Sequence, residues 1–306
     1  MLMGGSGGGP GGADSPGEGR GEPTGHVPVL LEETVEFLLE DSPRTVVDGT
    51  VGGGGHLSVL LERLPDEARV LGLDRDPAAL ERVRARLGND PRLTLACAPF
   101  DRLEEVLEEH GMGLADAAVF DLGMSSDQLE DASRGFTYRE TGPLDMRFDP
   151  ASGTTAAEIL NGLDQKELAD LIFHLGGERR SRRIARRIVQ RRPLADTSEL
   201  VAAVSSAVRG YRPGVLSRVF QALRIAVNDE MGQLDRLLES MDRWLASGGR
   251  VALITFHSLE DRRVKRFLRD TPGFRPGEPE WTAAGEEERR LNVRSRSAKL
   301  RRGVRE

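Results

Sequence analysis

Residues 44–56 read RTVVDGTVGGGGH, and this stretch decides the fold class of the 306-residue chain. The apolar pair Val46 and Val47 leads into Asp48, four consecutive glycines follow, and an amphipathic segment begins near His56. Glycines at a strand-to-helix turn remove every Cβ where the backbone must pass close to a ligand. The stretch therefore predicts a strand, a ligand-binding turn and a helix, in that order.

Short apolar runs alternate with amphipathic segments through the first 121 residues. The runs RVLGLD, RLTLACA and ADAAVFD follow the first strand, each after a segment with helical spacing. This βαβα pattern predicts a parallel sheet with helices on its faces. Residues 154 to about 246 show only helical spacings, including a long amphipathic run over 219–245, and a buried-strand candidate returns at 250–255. The sequence predicts an α/β fold with a helical insertion.

A second acidic residue, Asp74, ends the next predicted strand in GLDRDP. It lies where dinucleotide-type folds place the acid that binds ribose hydroxyls, although it can also help Asp76 to cap the next helix. Asp48, directly before the glycines, would repel a pyrophosphate but can pair with the cationic amino end of S-adenosylmethionine. No Gly-Lys-Ser/Thr follows the glycines, which argues against a P-loop. The expected cofactor is therefore S-adenosylmethionine, and methyl transfer is favoured over hydride transfer.

The stretch from Asp121 to Asp149, DLGMSSDQLEDASRGFTYRETGPLDMRFD, is dense in charge and glycine directly after an apolar run. Asp121 lies just past the carboxyl end of that predicted strand, the edge at which open α/β sheets bind ligands. The alternative is a long solvated loop whose glycines only make turns. Its apolar and aromatic residues argue against disorder, so an ordered site loop is favoured.

The net charge of −7 argues at face value against a nucleic-acid partner, but the basic residues are segregated. Residues 179–192 contain eight arginines, residues 289–305 contain eight lysines or arginines, and neither range contains an acid. Segregated charge of this kind predicts phosphate binding, although a solvated helix face gives a similar string. Arg262, Arg263, Lys265 and Arg266 are expected to add to this surface.

The remaining composition predicts a cytoplasmic protein that does not bind membranes. Residues 1–24 are nearly free of apolar side chains and are expected to form a disordered, glycine-rich tail. No uninterrupted apolar run approaches the roughly 20 residues that span a bilayer. Cys97 is the single cysteine, which leaves no intrachain disulfide, and its apolar surroundings predict burial.

Several long motifs resemble the ribosomal RNA small-subunit methyltransferase H family (RsmH, also called MraW), which methylates N4 of a cytidine in the decoding region of small-subunit (16S) rRNA. The resemblance covers nearly everything except the tail. It rests on HVPVLLEETVEFL from His26, DGTVGGGGH, GLDRDP, the 121–149 loop, GERRSRRIARRIVQRR from Gly177, FQALRIAVNDE from Phe220, ITFHSLEDRRVKRF from Ile254 and NVRSRSAKLR from Asn292.

The resemblance implies a class I S-adenosylmethionine-dependent methyltransferase, with a Rossmann-like, mostly parallel sheet and an inserted all-helical domain. Its two sheet-forming parts are expected at 25–126 and 219–306, the second carrying a basic C-terminal segment. The site loop and a helical substrate-recognition domain are expected at 127–218. The resemblance also implies a set of cofactor-binding residues: Gly54, Gly55, His56, Asp74, Phe100, Asp121 and Gln128.

An exocyclic amine needs a group that accepts its proton, and Asp121 is the first candidate, followed by Asp145 and His257. The sequence shows no metal-ligand cluster, and transfer to an amine needs none. The implied partner is 16S rRNA, expected within the small ribosomal subunit. The oligomeric state stays open. Two other functions also stay open: methylation of another amine, in DNA or protein, and RNA binding without catalysis.

Three departures from the family pattern affect the expected substrate face. Leu57 stands where the family usually has Ser or Thr, and residues 215–219 read VLSRV instead of PATRT. The stretch 272–288 is shorter than usual. These departures leave the expected cofactor site intact.

Overall fold

A computed structural model describes residues 28–306, so the predicted tail at 1–24 and His26 lie outside the described residues. Seven strands form one sheet in the order β3-β2-β1-β4-β5-β7-β6. Strands β1 to β5 pair in parallel, whereas β7 runs antiparallel to both β5 and β6. The prediction of a mostly parallel sheet is confirmed. The strands are β1 (Thr45–Asp48), β2 (Arg69–Asp74), β3 (Leu93–Cys97), β4 (Ala115–Asp121), β5 (Leu245–Thr255), β6 (Phe274–Ala283) and β7 (Lys299–Arg305).

The helices connect and cover these strands. Local sequence explains their starts: Asp76 caps α3 by accepting a hydrogen bond from Ala78 N, and Pro77 is pre-set for the first helical position. The helices are α1 (Leu31–Leu39), α2 (Gly55–Arg63), α3 (Pro77–Leu87), α4 (Leu103–Glu109), α5 (Ser126–Glu130), α6 (Ala156–Gly162), α7 (Gln165–Gly176), α8 (Ser181–Gln190), α9 (Thr197–Val208), α10 (Pro213–Asn228), α11 (Glu230–Glu239), α12 (Met241–Trp244), α13 (Ser258–Asp270) and α14 (Glu286–Leu291).

Helices α6 to α10 surround an apolar cluster of their own, whereas two other clusters line the faces of the sheet. In α8, Ile184, Ala185 and Ile188 are buried in this helical cluster. Their spacing of three to four residues leaves the arginines on the opposite face. The expected domain boundary at residue 218 falls inside α10, so no break in the backbone helix marks it, and the division into domains stays a prediction.

The long amphipathic run over 219–245 is divided among three helices rather than forming one. Asp229, between α10 and α11, has a left-handed backbone (φ 48°), which a continuing helix does not allow. The side chain of Asn228 accepts a hydrogen bond from Phe148 N (2.8 Å) and donates one to Met146 O (2.7 Å). Helix α10 therefore ends at Asn228, whose side chain holds the 121–149 loop against this helix.

The sequence analysis missed two strands of the sheet and was wrong about the burial of Cys97. The antiparallel strands β6 and β7 were not predicted, because the basic composition of β7 (KLRRGVR) conceals the alternation of a strand. Cys97 is exposed, so the prediction that it is buried is wrong. It ends β3, an edge strand that is only partly covered. Within residues 28–306, the helices are too short or too polar for any of them to cross a bilayer.

Candidate active site

A cavity of about 690 Å³ opens along the carboxyl ends of the parallel strands. Its walls come from the segments that follow β1, β2, β3 and β4, and Pro28 and Val29, which precede α1, also contribute. Asn292 and Arg294, close to the C-terminus, complete the lining. This is the edge at which open α/β sheets bind ligands, so the cavity is the candidate active site.

The glycine turn lies between β1 and α2 as its sequence predicts, but at Gly54 and Gly55 the close neighbours are protein side chains rather than space for a ligand. Gly54 has φ 73°, and a Cβ there would lie 2.7 Å from Arg86 Nη2 and 2.8 Å from Val83 Cγ2. A Cβ on Gly55 would overlap the ring of Pro28. Helix α2 begins at Gly55, so its first N–H groups lie at the turn. Gly55 lines the cavity, whereas Gly54 lies behind the lining as the N-cap residue.

Asp74 lies at the carboxyl end of β2 and connects the turn to the next loop. Its Oδ2 accepts a hydrogen bond from Gly52 N and its Oδ1 accepts one from Asp76 N, both at 2.8 Å. Each carboxylate oxygen has a second acceptor site free for a ligand hydroxyl. Burial raises the pKa of Asp74, although the two backbone hydrogen bonds oppose that shift. The group is thus held in place with two acceptor positions on the cavity wall.

Asp121 lies at the carboxyl end of β4, and one of its side-chain oxygens is unpaired. Its backbone N–H donates to Thr50 Oγ1 at 2.6 Å, which ties β4 to the glycine turn. Oδ1 is buried and has no hydrogen-bond partner among the described residues. Burial raises the pKa of Asp121, whereas the charges of Arg294 and His56 act to lower it. Asp121 thus lines the cavity with a carboxylate that has an unpaired oxygen, which makes it a candidate to bind a donor or to accept a proton.

Three more expected cofactor residues line the same cavity. His56 Nε2 lies 3.2 Å from Val29 O, and since a carbonyl only accepts, this nitrogen carries the proton. Gln128 forms the capping box of α5 with Ser125 and donates to Asp76 Oδ2 at 2.9 Å. Phe100 packs edge-on against Phe120, with ring centroids 6.1 Å apart. The cavity therefore brings together six of the seven expected residues, with Gly54 directly behind them.

The other two candidates for proton acceptor do not line this cavity. Asp145 forms a two-pronged ion pair with Arg147 (2.9 and 2.7 Å), and these hydrogen bonds outweigh burial and lower the pKa of Asp145. His257 caps α13 together with Glu260, the third residue of that helix. Both residues thus have structural partners, and their catalytic role stays a prediction.

A buried ionic network lies behind the cavity. The possible ligand atoms of Glu230, His257 and Glu260 all lie within 4.8 Å of one another, a spacing that a metal ion could use. Arg224, however, forms a two-pronged ion pair with Glu230 at 2.8 and 2.9 Å. Glu260 also accepts a hydrogen bond from Phe256 N at 2.8 Å. A protein cation thus balances the acidic charge, and the group is an ion-pair network.

The sequence analysis assigned no cofactor or catalytic role to the C-terminal lining residues Asn292 and Arg294. It also predicted phosphate binding for too many residues of the basic run at 289–305. Arg301 is buried and paired with Asp261 (2.8 Å) and Glu280 (3.0 Å). Arg302 is also buried, and it donates to the hydroxyl of Thr282 (2.6 Å). The prediction that the whole run binds phosphate is therefore wrong for these two arginines. The motif NVRSRSAKLR was the signal for the lining residues, but it does not reveal which side chains face the cavity.

Asp48 is buried beneath the turn and does not line the cavity, so the expectation that it pairs with the amino end of the cofactor is wrong. The ionisation of its carboxyl group opposes folding. Burial raises the pKa of Asp48 from 3.8 to about 7, and nearby Asp121 and Asp74 add to the shift. Between these pH values the folded protein holds a proton that the unfolded chain has lost. Stability therefore falls as pH rises through this window, by an upper value of about 4 kcal/mol.

We expect Asp48→Asn to remove this pH dependence in the cofactor-free protein. Relative to wild type, the variant should gain up to about 4 kcal/mol of unfolding free energy between pH 4 and pH 8. Urea unfolding at several pH values measures the difference, and all other titrating groups are common to both proteins. Parallel pH profiles for the two proteins would contradict the raised pKa.

The sheet, the glycine turn, the acid that ends β2 and the cavity beside Asp121 together define a class I methyltransferase that uses S-adenosylmethionine. The model of the MraW methylase family matches residues 23–276, and the chain belongs to this family.

Named relatives agree with this membership. The chain is 45% identical to the ribosomal RNA small subunit methyltransferase H of Methylorubrum populi, over 94% of this chain and 88% of the relative. It is 46% identical to the protein of the same name from Synechococcus elongatus, over 90% and 93% of the two chains. An rRNA methylase structure from Streptococcus thermophilus is similar with a TM-score of 0.43 and 14% identity, covering 89% of this chain and 94% of that one. That likeness is too low to add to the argument.

Proposed function

We propose that this protein transfers a methyl group from S-adenosylmethionine to the N4 amine of a cytidine in the decoding region of 16S rRNA. The observation that carries the proposal is Asp121 at the end of β4: the residue lines the cavity, and its side-chain Oδ1 has no hydrogen-bond partner among the described residues. The relatives named ribosomal RNA small subunit methyltransferase H support the RNA substrate. The N4 position and the decoding region rest on the family resemblance of the motifs.

The described residues fit the cofactor. Asp74 offers two acceptors for ribose hydroxyls, and Phe100 offers an apolar surface for the adenine. The glycine turn leaves room for the methionine part beside the first N–H groups of α2. S-adenosylmethionine supplies an electrophilic methyl group on a positively charged sulfur.

The acceptor amine needs help from the protein. The N4 lone pair of cytosine is delocalised into the ring, so the amine must be held in line with the methyl–sulfur bond and must lose a proton during or after attack. The N–C bond forms as the C–S bond breaks, and the proton moves to a base. Asp121 is our candidate for that base, because its Oδ1 is unpaired and burial raises its pKa above the ordinary value.

The exposed arginines of α8 are the proposed contact to RNA phosphates. Arg182, Arg183 and Arg186 are exposed on one face of the helix, and no ion pair to them occurs within residues 28–306. Unneutralised like charges on one helix face favour a polyanionic partner. A target base must leave its stack to reach the cavity, which costs a few kcal/mol, and phosphate contacts offset that cost.

Replacing two of these arginines, in Arg183→Gln/Arg186→Gln, should raise KM for RNA roughly tenfold and leave cofactor Kd unchanged. The slope of log affinity against log salt should fall by about 0.7 for each phosphate that the variant no longer neutralises. The control is Arg44→Gln. Arg44 is an exposed arginine that directly precedes β1, at the amino ends of the parallel strands, and we expect no change in KM or in the salt slope there. Equal behaviour of the two variants would contradict the assignment of α8.

The direct test is transfer of labelled methyl from S-adenosylmethionine to small ribosomal subunits that lack the modification, followed by mass spectrometry of the nucleosides. N4-methylated cytidine would support the proposal. Label on another nucleoside, on DNA or on protein would keep the methyltransferase and overturn the substrate. Cofactor binding without transfer to subunits or to free rRNA would favour a role in RNA binding alone.

A further inference from the structure

The C-terminal segment places a cation in a cavity whose cofactor is itself positively charged. Arg294 lines the cavity, its guanidinium lies 5.1 Å from the centre of the Phe256 ring, and Nη1 lies 3.4 Å from Ser126 Oγ. Among the described residues, no carboxylate lies within ion-pair distance of Arg294. Asp121 is near enough only for a longer-range interaction. A half-buried guanidinium that no carboxylate neutralises keeps donors available for a negatively charged or polar group in the cavity.

The position of Arg294 separates it from the expected adenosine end of the cofactor. Asp74 ends β2, whereas Ser126 follows β4 and Phe256 follows β5, and the sheet order is β2-β1-β4-β5. Arg294 therefore lies across the cavity from Asp74, beyond Asp121. The N-terminus of α2, where the glycine turn presents backbone N–H groups, would hold the negative carboxylate of S-adenosylmethionine. With the cofactor held in this way, the space beside Arg294 would be left for the acceptor.

The residues around Arg294 alternate between the cavity and the outside. Asn292 and Arg294 line the cavity, whereas Leu291 and Val293 are 72% and 65% exposed. Large apolar side chains exposed at the rim of a binding cavity are typical of a contact surface. Unpaired bases of RNA pack on such surfaces while their polar edges bind side chains further inside.

We propose that Arg294 binds an oxygen of the target nucleotide and so positions the acceptor for methyl transfer, an inference that rests on the proposed function. The guanidinium presents a planar pair of donors, which suits an oxygen acceptor with partial or full negative charge. Two groups of the nucleotide carry such an oxygen: the base carbonyl and the adjacent phosphate. Stacking on Phe256 fixes the plane in which the donors point.

The test compares Arg294→Gln and Arg294→Lys with Arg44→Gln, in kinetic assays on RNA and in cofactor titrations. Arg44 is an exposed arginine that directly precedes β1 and does not line the cavity. We expect Arg294→Gln to raise KM for RNA roughly 10- to 100-fold, to change cofactor Kd less than about threefold, and to leave melting close to that of Arg44→Gln.

Arg294→Lys distinguishes the two sources of the oxygen and also guards against a folding defect, because it keeps the positive charge beside Phe256. Recovery of KM in the Lys variant, with a salt slope close to that of wild type, identifies a phosphate contact. No recovery, with an unchanged salt slope in both variants, identifies the base carbonyl, which needs the planar fork.

Three outcomes would overturn the inference. An RNA KM equal to that of Arg44→Gln would show that Arg294 only balances the charge of Asp121. A cofactor Kd that rises together with KM would place the guanidinium on the cofactor carboxylate. A loss confined to kcat, with KM unchanged, would exclude a role in holding the acceptor. Failure of wild type to methylate RNA is a separate result, because it contradicts the proposed function itself.

Discussion

Asp74→Ala is expected to weaken S-adenosylmethionine binding by about 100-fold or more. Each oxygen of Asp74 is fixed by one backbone N–H, from Gly52 and from Asp76, and each keeps one free acceptor position. Two hydrogen bonds from ribose hydroxyls to a charged acceptor contribute about 3 kcal/mol together, which corresponds to roughly 100-fold in Kd. Isothermal titration calorimetry of the purified protein measures the loss.

The same substitution also frees two backbone donors at the glycine turn, so a loss of affinity alone does not identify the ribose contact. A ligand that lacks the hydroxyls isolates it. S-adenosylhomocysteine should bind wild type about 100-fold more tightly than its 2′,3′-dideoxy analogue, and this preference should vanish in Asp74→Ala. If the variant weakened both ligands equally, Asp74 would act only by supporting the turn.

The parallel strands could be predicted from the sequence because their apolar composition agrees with their burial in the fold. Strands β1, β2 and β4 are apolar runs that end on an acid, and each is buried between helices. The last two strands were not predictable, because a strand such as β7 buries two arginines that pair with side chains far away in the sequence. Arg301 meets Asp261, which precedes it by 40 residues, and a linear pattern does not show such a partner.

The candidate site likewise contains residues that could be predicted from the sequence and one that could not. Gly55, Asp74 and Asp121 occur at the ends of strands or at their turns, so the chain direction alone places them at one edge of the sheet. Arg294 joins them from a turn near the C-terminus, more than 170 residues after Asp121. Its place on the cavity wall depends on how the antiparallel end of the sheet folds back. Tertiary contacts of this kind are absent from the local pattern.

The second large effect is expected for Asp121→Asn, which should lower kcat by about 10²- to 10⁴-fold at saturating cofactor and RNA. The amide keeps the size of the side chain and removes its ability to accept the amine proton. Burial raises the pKa of Asp121 above its ordinary value, and the base form is needed for transfer. The wild-type rate should therefore fall as pH decreases through a pKa above 3.8, and the variant should lack that acid limb.

The assay also discriminates among the candidates for proton acceptor. Asp145→Asn breaks the ion pair with Arg147, but its carboxylate lies off the cavity and has a lowered pKa, which makes it a weaker base. We therefore expect a much smaller loss of kcat for Asp145→Asn than for Asp121→Asn. An Asp121→Asn variant that weakens cofactor binding yet keeps kcat at saturation would restrict Asp121 to holding the cofactor. An equal loss of kcat in Asp145→Asn would instead favour Asp145, in the 121–149 loop, as the proton acceptor. A kcat/KM profile that keeps its acid limb in Asp121→Asn would require a different base, because the proton must leave the amine through a group that titrates with the rate.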